Sequence, residues 1–380
     1  MKQSNSKWTI LPILFGFFVM GFVDVVGIST NYVKQDFGLS DTLANLIPMM
    51  VFLWFAIFSI PTGMLMGRIG RRNTGAVSLG ITIVAMLLPL FLYDFAGVLL
   101  AFALLGIGNT ILQVSLNPMV ASVVVPGKVT SVLTLGQFLK AVSSFLGPLI
   151  AGAAASFWGN WKWIFAVYAV TTLLSLAWLL TGVHEGKKKS AQASTFATVC
   201  SLFKDRYIVM LFIGILLIVG IDVGLNTTIP KLLMEKTGMS VSEAGLGSSL
   251  YFSARTIGSF VGAFLLAKIA SDRFMQYSMM LALVGFILLL LVNSLLWISV
   301  LVVIVGLACS NVFSIIFSYA LQHLPERDNE ISALMIMGVS GGALVTPLMG
   351  ILSDAFGQVA GLSLLLFCVL YLGWISFRLQ

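Results

Sequence analysis

Long apolar runs separated by short polar connections follow one another along almost the entire chain of 380 residues. A helix needs roughly 20 apolar residues to cross the hydrocarbon core of a bilayer, and twelve runs are long enough. They lie at about 8–33, 43–66, 74–93, 96–123, 130–156, 161–183, 207–234, 243–268, 275–294, 297–322, 330–353 and 358–377. The pattern predicts an all-α membrane protein with twelve transmembrane helices.

The composition excludes a soluble protein. Hydrophobic residues make up 59% of the chain and charged residues only 9%, whereas about a quarter of the residues in a soluble domain are charged. A chain this apolar would expose more hydrophobic surface than a soluble protein tolerates. The first run lacks a small-residue cleavage site, so we interpret it as a retained helix and not as a signal peptide.

Lysine and arginine are distributed unevenly over the connections. With both termini on one side, 15 of the 21 basic residues fall on that side, four fall on the other, and Lys140 and Arg255 lie inside predicted helices. Because basic residues mark cytoplasmic loops, we expect both termini in the cytoplasm. The same rule accounts for the net charge of +7, so no nucleic-acid partner is expected.

The chain contains an internal repeat with a shift of about 199 residues. The equivalent pairs occur in order: Asp24 and Asp222, Gly38 and Gly238, Gly63 and Gly262, Pro126 and Pro325, Pro148 and Pro347. We assign 1–183 and 206–380 to two pseudo-symmetric six-helix bundles, and the polar stretch 184–205 to a cytoplasmic linker. Two such halves are typical of transporters, whose site lies near the bilayer midplane between them.

Three of the charged residues inside predicted spans are candidates for a function. The stretch GFVDVVG places Asp24 inside the first apolar run, and Lys140 and Arg255 fall within later ones. An unpaired charge there costs at least about 3 kcal/mol, so a functional role is the default interpretation. A fixed salt bridge between Asp24 and Lys140 would explain both residues structurally, and that alternative stays open.

Polar residues also recur at helical spacings of three, four or seven, which places them on one face of several spans. We expect these faces to border a shared cavity, because amides and hydroxyls at several heights suit a ligand rich in hydroxyl groups. The candidate substrate-binding residues are Asn31, Asn109, Gln113, Asn117, Gln137, Lys140, Asn226, Tyr251, Arg255, Asn311 and Phe317. Phe317 would offer a flat surface to a sugar ring. For each amide, a hydrogen bond between helices is an equally open interpretation.

The cysteines predict no further chemistry. Cys200, Cys309 and Cys368 are widely spaced in apolar surroundings, which favours neither disulfides nor a metal site. The sequence has no nucleotide-binding loop and no metal-ligand cluster. We therefore expect no cofactor and no bound metal, and neither an enzyme nor a primary pump.

Four motifs resemble those of a known family. GMLMGRIGRRN, between the second and third spans, resembles the signature of the major facilitator superfamily, with Gly67 at its acidic position. QVSLNPMV, FSIIFSYALQHL and SALMIMGVSGGALVTPLMGILSDAFG are similar to segments of its fucose–galactose–glucose:proton symporter branch. The resemblance covers most of the chain. It implies two six-helix bundles and proton-coupled uptake of a monosaccharide, a hexose or deoxyhexose, by alternating access.

The resemblance also implies residue roles. Asp24 matches the first-span aspartate on which proton coupling depends in the fucose permeases, and Asn117 matches the asparagine of their Asn-Pro motif. Gln113 stands where those permeases keep a second protonatable carboxylate, and Lys140 where they have a neutral amide. We expect Asp24 to load a proton from the outside and to release it inside. When ionised, it would pair with Lys140, and protonation would free Lys140 or Gln113 to bind sugar hydroxyls.

Several other functions are compatible with the sequence. Lys140 and Arg255 could clamp the carboxylate of an anionic sugar or another organic acid. Drug/proton antiport would require a more aromatic cavity with fewer amides. A non-transporting sensor or scaffold would need a signalling domain that the chain lacks, and sodium could replace the proton. The expected partners are a small-molecule sugar, the proton and the lipid bilayer, and we expect a monomer because each half supplies one wall of the site.

Overall fold

The computed structural model describes residues 6–39, 43, 46–183, 196–239 and 246–379. Every regular element in these residues is helical. In the first half of the chain the helices are α1 (Ser6–Met20), α2 (Val25–Phe37), α3 (Leu46–Ile69), α4 (Arg71–Phe91), α5 (Phe95–Val123), α6 (Val129–Trp158) and α7 (Trp163–Gly182). Short 3-10 helices over Gly21–Asp24 and Pro126–Lys128 precede α2 and α6.

The second half repeats this pattern. Its helices are α8 (Phe196–Ser201), α9 (Arg206–Thr237), α10 (Leu246–Leu265), α11 (Ser271–Leu291), α12 (Leu295–Cys309), α13 (Val312–His323), α14 (Asp328–Met337), α15 (Gly341–Phe356) and α16 (Gln358–Ser376). Further 3-10 helices cover Leu202–Lys204, Pro325–Arg327 and Gly338–Ser340. Residues 184–195 of the predicted linker lie outside the described residues, and its remainder contains α8.

Within the described residues all twelve predicted spans form helices, and the prediction of an all-α membrane protein is confirmed. Among the described residues, ten helical stretches are long and apolar enough to cross a membrane by length and composition. The other two predicted spans are α10, which carries Arg255, and the pair α14 and α15, which the turn Gly338–Ser340 interrupts. Large apolar side chains such as Phe91 and Phe157 are 84% exposed, as expected where lipid is the solvent.

Two compact units make up the structure. Unit 1 comprises Met1–Pro126, Leu139–Ser201 and Leu324–Met337, and unit 2 comprises Gly127–Phe138, Leu202–His323 and Gly338–Gln380. Each unit thus includes one short segment from the opposite half of the sequence. The two exchanged segments, Gly127–Phe138 and Leu324–Met337, lie beside the repeat-related Pro126 and Pro325. The contiguous domain boundaries at 1–183, 184–205 and 206–380 stay a prediction.

The repeat-related Gly63 and Gly262 are close-packing positions within their units. A Cβ on Gly63 would come within 2.6 Å of the Ala333 Cβ on α14. A Cβ on Gly262 would overlap the side-chain amide of Asn311. Small residues let neighbouring membrane helices approach at this distance, so both glycines are needed for packing.

Candidate functional site

The first predicted span is broken, because a 3-10 turn over Gly21–Asp24 separates α1 from α2. A Cβ on Gly21 would overlap the carbonyl oxygen of Lys140 on α6, so a larger residue does not fit. On the other side, the Asn109 Nδ2 atom donates a 2.7 Å hydrogen bond to the carbonyl oxygen of Met20. The break is therefore braced by α5 and α6, and its last residue is the candidate proton-coupling carboxylate.

Asp24 is an accessible carboxylate held by a hydroxyl. Its side chain is exposed, and the Ser144 Oγ atom donates a 2.5 Å hydrogen bond to Oδ2. Ser144 Oγ also lies 2.9 Å from the carbonyl oxygen of Lys140, one turn earlier on α6. Among the described residues, Asp24 and Lys140 form no ion pair. A permanent Asp24–Lys140 salt bridge is therefore not what holds either charge in this structure.

The three amides of α5 are linked into a buried chain. Gln113 Nε2 donates a 2.6 Å hydrogen bond to Asn109 Oδ1, and Asn117 Nδ2 donates a 2.8 Å bond to the carbonyl oxygen of Gln113. All three side chains are at most 4% exposed. Among the described residues, the buried Asn117 Oδ1 has no hydrogen-bond partner. Two of these amide bonds stay within α5, and only Asn109 links the stripe to α1, through the Met20 carbonyl oxygen.

Pro118, next to Asn117, breaks the hydrogen-bond pattern of α5. Proline has no N–H, so the carbonyl oxygen of Val114 loses its helical donor. The Ser332 hydroxyl on α14 donates a 2.7 Å hydrogen bond to that oxygen, and Arg71 Nη1 donates a 2.8 Å bond to the carbonyl oxygen of Pro118 itself. The Asn-Pro turn is therefore held by a segment that is more than 200 residues away in sequence.

Arg71 anchors the same segment through its guanidinium group. Its Nε atom donates a 2.8 Å hydrogen bond to Asn329 Oδ1, and its Nη2 atom pairs with the Asp328 carboxylate. The Arg71 side chain is only 6% exposed in this pair. Arg71 of the GMLMGRIGRRN motif is therefore a buried structural contact within unit 1, even though Gly67 lacks the acidic side chain.

In unit 2, Asp222 lies near the middle of the unbroken helix α9. Arg255 Nη1 on α10 is 2.7 Å from Asp222 Oδ2. The Tyr251 hydroxyl donates a 2.7 Å hydrogen bond to Oδ1 of the same carboxylate, and Tyr251 is completely buried. The structure thus joins two candidate residues, Tyr251 and Arg255, through an aspartate that was outside the candidate set.

The remaining candidate substrate-binding residues are Asn31, Gln137, Asn226, Asn311 and Phe317, and they belong to neither of the two groups above. Asn311 is buried and donates a 3.1 Å hydrogen bond to the carbonyl oxygen of Gly258. Phe317 is completely buried in α13, so its ring is part of the core here. Gln137 is half-buried and Asn226 is exposed. Asn31 belongs to α2, but its side chain lies outside the described residues. Contact of these residues with a substrate stays a prediction.

Among the described residues, no group of three or more histidine, cysteine, aspartate or glutamate side chains could hold a metal ion.

The comparisons with known proteins identify the family. A model of the Major Facilitator Superfamily matches residues 13–344 and, in a second match, 211–379. The chain belongs to the major facilitator superfamily, a class of membrane transporters. It is 27% identical over 391 residues to a glucose/galactose transporter of Brucella abortus biovar 1 (strain 9-941), with 98% of this chain and 94% of the relative covered.

The solved structures agree on the fold. The chain superposes on a crystal structure of the Escherichia coli fucose:proton symporter FucP with a TM-score of 0.87, at 16% identity and over 99% of each chain. At this identity the similarity shows the fold alone. The predicted twelve-helix major facilitator fold is therefore confirmed.

Proposed function

We propose that this protein is a secondary active transporter that couples the uptake of a monosaccharide, a hexose or deoxyhexose, to protons by alternating access. Membership of the major facilitator superfamily and similarity to a glucose/galactose transporter along nearly the whole chain support the transported substrate. The name of the fold neighbour, a fucose:proton symporter, is in line with proton coupling.

The observation that carries the proposal is the accessible Asp24 carboxylate at a braced helix break, with the Ser144 hydroxyl 2.5 Å from Oδ2. A carboxylate at this accessible position can exchange a proton with water. Protonation removes a charge that is costly at membrane depth, and it changes the hydrogen bonding of Ser144. Asp24 loads a proton outside, and loss of that proton to the cytoplasm releases the sugar.

The first substrate contacts are proposed from polar groups on α5 and α6. Asn117 Oδ1 is buried without a partner, and a sugar hydroxyl would satisfy it. Lys140 is one turn from Ser144 on α6 and donates either to the ionised Asp24 or to the sugar. Such a choice between two partners would couple the proton to the substrate. The other candidate residues, including Gln113, Asn226 and Asn311, supply further amides.

We further propose the inner membrane of a bacterium as the location, with both termini in the cytoplasm, and a monomer as the transporting unit. The uneven distribution of lysine and arginine supports this orientation. The whole site is available in one chain, so a second copy is not required.

The test is uptake into proteoliposomes at fixed voltage with a pH dye inside. Neutral hexoses, deoxyhexoses and hexuronates are added outside in turn, without sodium. We expect internal acidification only with a neutral sugar. Acidification only with a hexuronate would support an anionic substrate, and sugar entry without a pH change would contradict proton coupling. Alkalinisation on addition of a lipophilic drug would indicate antiport.

A further inference from the structure

The Asp222 carboxylate is held at both of its oxygens by one face of α10. Arg255 Nη1 is 2.7 Å from Oδ2, and the Tyr251 hydroxyl donates a 2.7 Å hydrogen bond to Oδ1. Tyr251 and Arg255 are four residues apart, so they project from the same side of the helix. The orientation of the carboxylate is therefore fixed, with Oδ2 against the Nη1 atom of Arg255.

The ion pair is partly exposed. The Asp222 and Arg255 side chains remain 12% and 23% exposed, whereas Tyr251 is completely buried. Charged groups within membrane helices face the protein interior or water and not lipid, because exposure to hydrocarbon is costly. A solute that reaches the exposed part of this pair would therefore meet both charges.

This arrangement is specific to the second half of the repeat. Asp222 corresponds to Asp24, but a shift of 199 places Phe52 and Ala56 opposite Tyr251 and Arg255. The first half thus lacks both groups that hold the carboxylate. Tyr251 and Arg255 have no equivalents in the first half, so helix packing common to both halves does not explain their contacts with Asp222.

We propose that Asp222 is a specificity-determining residue of the sugar transport proposed above, on which this inference rests. Its carboxylate occupies the edge of Arg255 that would otherwise bind a carboxylate of the substrate. A guanidinium group binds carboxylates strongly and in a defined geometry, and the Asp222 charge repels a second anion from the same place. The site accepts neutral sugars and rejects hexuronates for this reason.

The experiment measures equilibrium binding to purified full-length protein in chloride-free buffer. The probes are two matched pairs, D-galactose with D-galacturonate and D-glucose with D-glucuronate, which differ only in having CH2OH or a carboxylate at C6. We expect Asp222→Asn to bind a uronate about tenfold more tightly than the wild type does, a change of about one unit in log Kd. Affinity for the neutral sugar should change much less.

Two matched variants separate charge from structure. Asp222→Glu keeps the carboxylate and should keep the preference for the neutral sugar. The double variant Asp222→Asn with Arg255→Gln should lose the gain in uronate binding, because the gain depends on the released guanidinium. A gain that persists without Arg255 would overturn the proposal, as would a folded Asp222→Asn variant that binds neutral sugar and shows no gain.

Asp222→Ser provides an independent measurement if Asp222→Asn does not fold. It also removes the carboxylate that pairs with Arg255, so uronate affinity should again rise about tenfold. No rise in a folded Asp222→Ser protein would overturn the proposal. A wild-type protein that binds neither neutral sugar would contradict the proposed function instead, while the uronate ratio between variants still decides the role of Asp222.

Discussion

The Ser332 hydroxyl donates a 2.7 Å hydrogen bond to the Val114 carbonyl oxygen, which Pro118 leaves without a helical donor. Ser332 belongs to the exchanged segment Leu324–Met337 of unit 1, and Val114 is one turn from Asn117, the candidate sugar-binding residue. A segment from the second half of the sequence is thus bonded directly to α5, one turn before this residue. Movement of that segment and the conformation of the Asn-Pro turn should therefore be linked.

We expect Ser332→Ala to destabilise the protein by about 1–3 kcal/mol, because a buried carbonyl oxygen loses its donor. The thermal midpoint of purified protein in detergent measures the loss. Ser363→Ala is the matched control, since Ser363 bonds only to Val359 O one turn earlier in its own helix, at 2.9 Å. Equal midpoints for the two variants would show that the Ser332 bond contributes nothing.

Arg71→Gln should destabilise unit 1 by roughly 3–5 kcal/mol, the usual cost of breaking a buried ion pair by removing one partner. Asp328→Asn should cost a similar amount. In a double-mutant cycle the two changes should be non-additive by about 1–3 kcal/mol. Arg68→Gln, at an exposed position of the same motif, should have little effect. Additive losses would contradict a direct Arg71–Asp328 interaction.

Gly63→Ala should lower the thermal midpoint because the new methyl group would come within 2.6 Å of Ala333 Cβ. The compensating change Ala333→Gly removes that methyl group, so the double variant should regain most of the lost stability. Gly80→Ala is the control, since nothing lies within 4 Å of its Cβ position, and alanine favours a helix interior by roughly 0.5–1 kcal/mol. Failure of Ala333→Gly to restore stability would place the strain elsewhere.

Asp205 should make the stability of unit 2 depend on pH at the acid end. Partial burial raises its pKa, but the His323 ring at 3.0 Å and the backbone amides of Ile208 and Tyr207 lower it more, so the pKa lies below the ordinary 3.8. A carboxyl group with a depressed pKa stabilises the fold above its unfolded pKa, and this contribution is lost as the pH falls through the folded value.

Asp205→Asn should therefore flatten the loss of stability below about pH 4. Asparagine can still accept hydrogen bonds as the N-cap of α9. Asp205→Ala removes the cap and should lower the free energy of unfolding by a further ~0.5–2 kcal/mol at all pH values. Thermal midpoints measured from neutral to acid pH distinguish the two effects. If the stability of Asp205→Asn falls at acid pH as steeply as that of the wild type, another group controls the loss.

The fold was largely predictable because membrane insertion imposes a strong constraint on sequence. Each span must be apolar over about 20 residues, and all twelve runs are helical in the structure. The breaks within spans were not predictable from hydropathy. Residues 297–322 form one apolar run, yet helices end at Cys309 and begin again at Val312, because a break changes hydrogen bonding without changing apolarity.

The site was predictable only in part. Asp24 was identifiable because a carboxylate in an apolar run is rare, and the structure leaves it accessible. The roles of the amides depend on their partners: Asn109 bonds to the Met20 carbonyl oxygen at 2.7 Å, which helical spacing cannot reveal. Ser144 lies on the same polar stripe as Gln137 and Lys140, but its bond to Asp24 is not visible in the spacing, and Ser332 was missed because serine is common in such helices. Asp222 was recognised in the repeat, but its pairing with Arg255 depends on tertiary packing.

The decisive measurement is sugar accumulation by Asp24→Asn in proteoliposomes with an imposed pH gradient, using the sugar identified by the uptake panel. An asparagine cannot carry a proton, so the variant should exchange labelled sugar across the membrane but neither accumulate it nor acidify the interior. Asp94→Asn, which can still cap α5 by accepting from Gly97 N, should behave like the wild type. Gradient-driven accumulation by Asp24→Asn at the wild-type level would contradict proton coupling through Asp24.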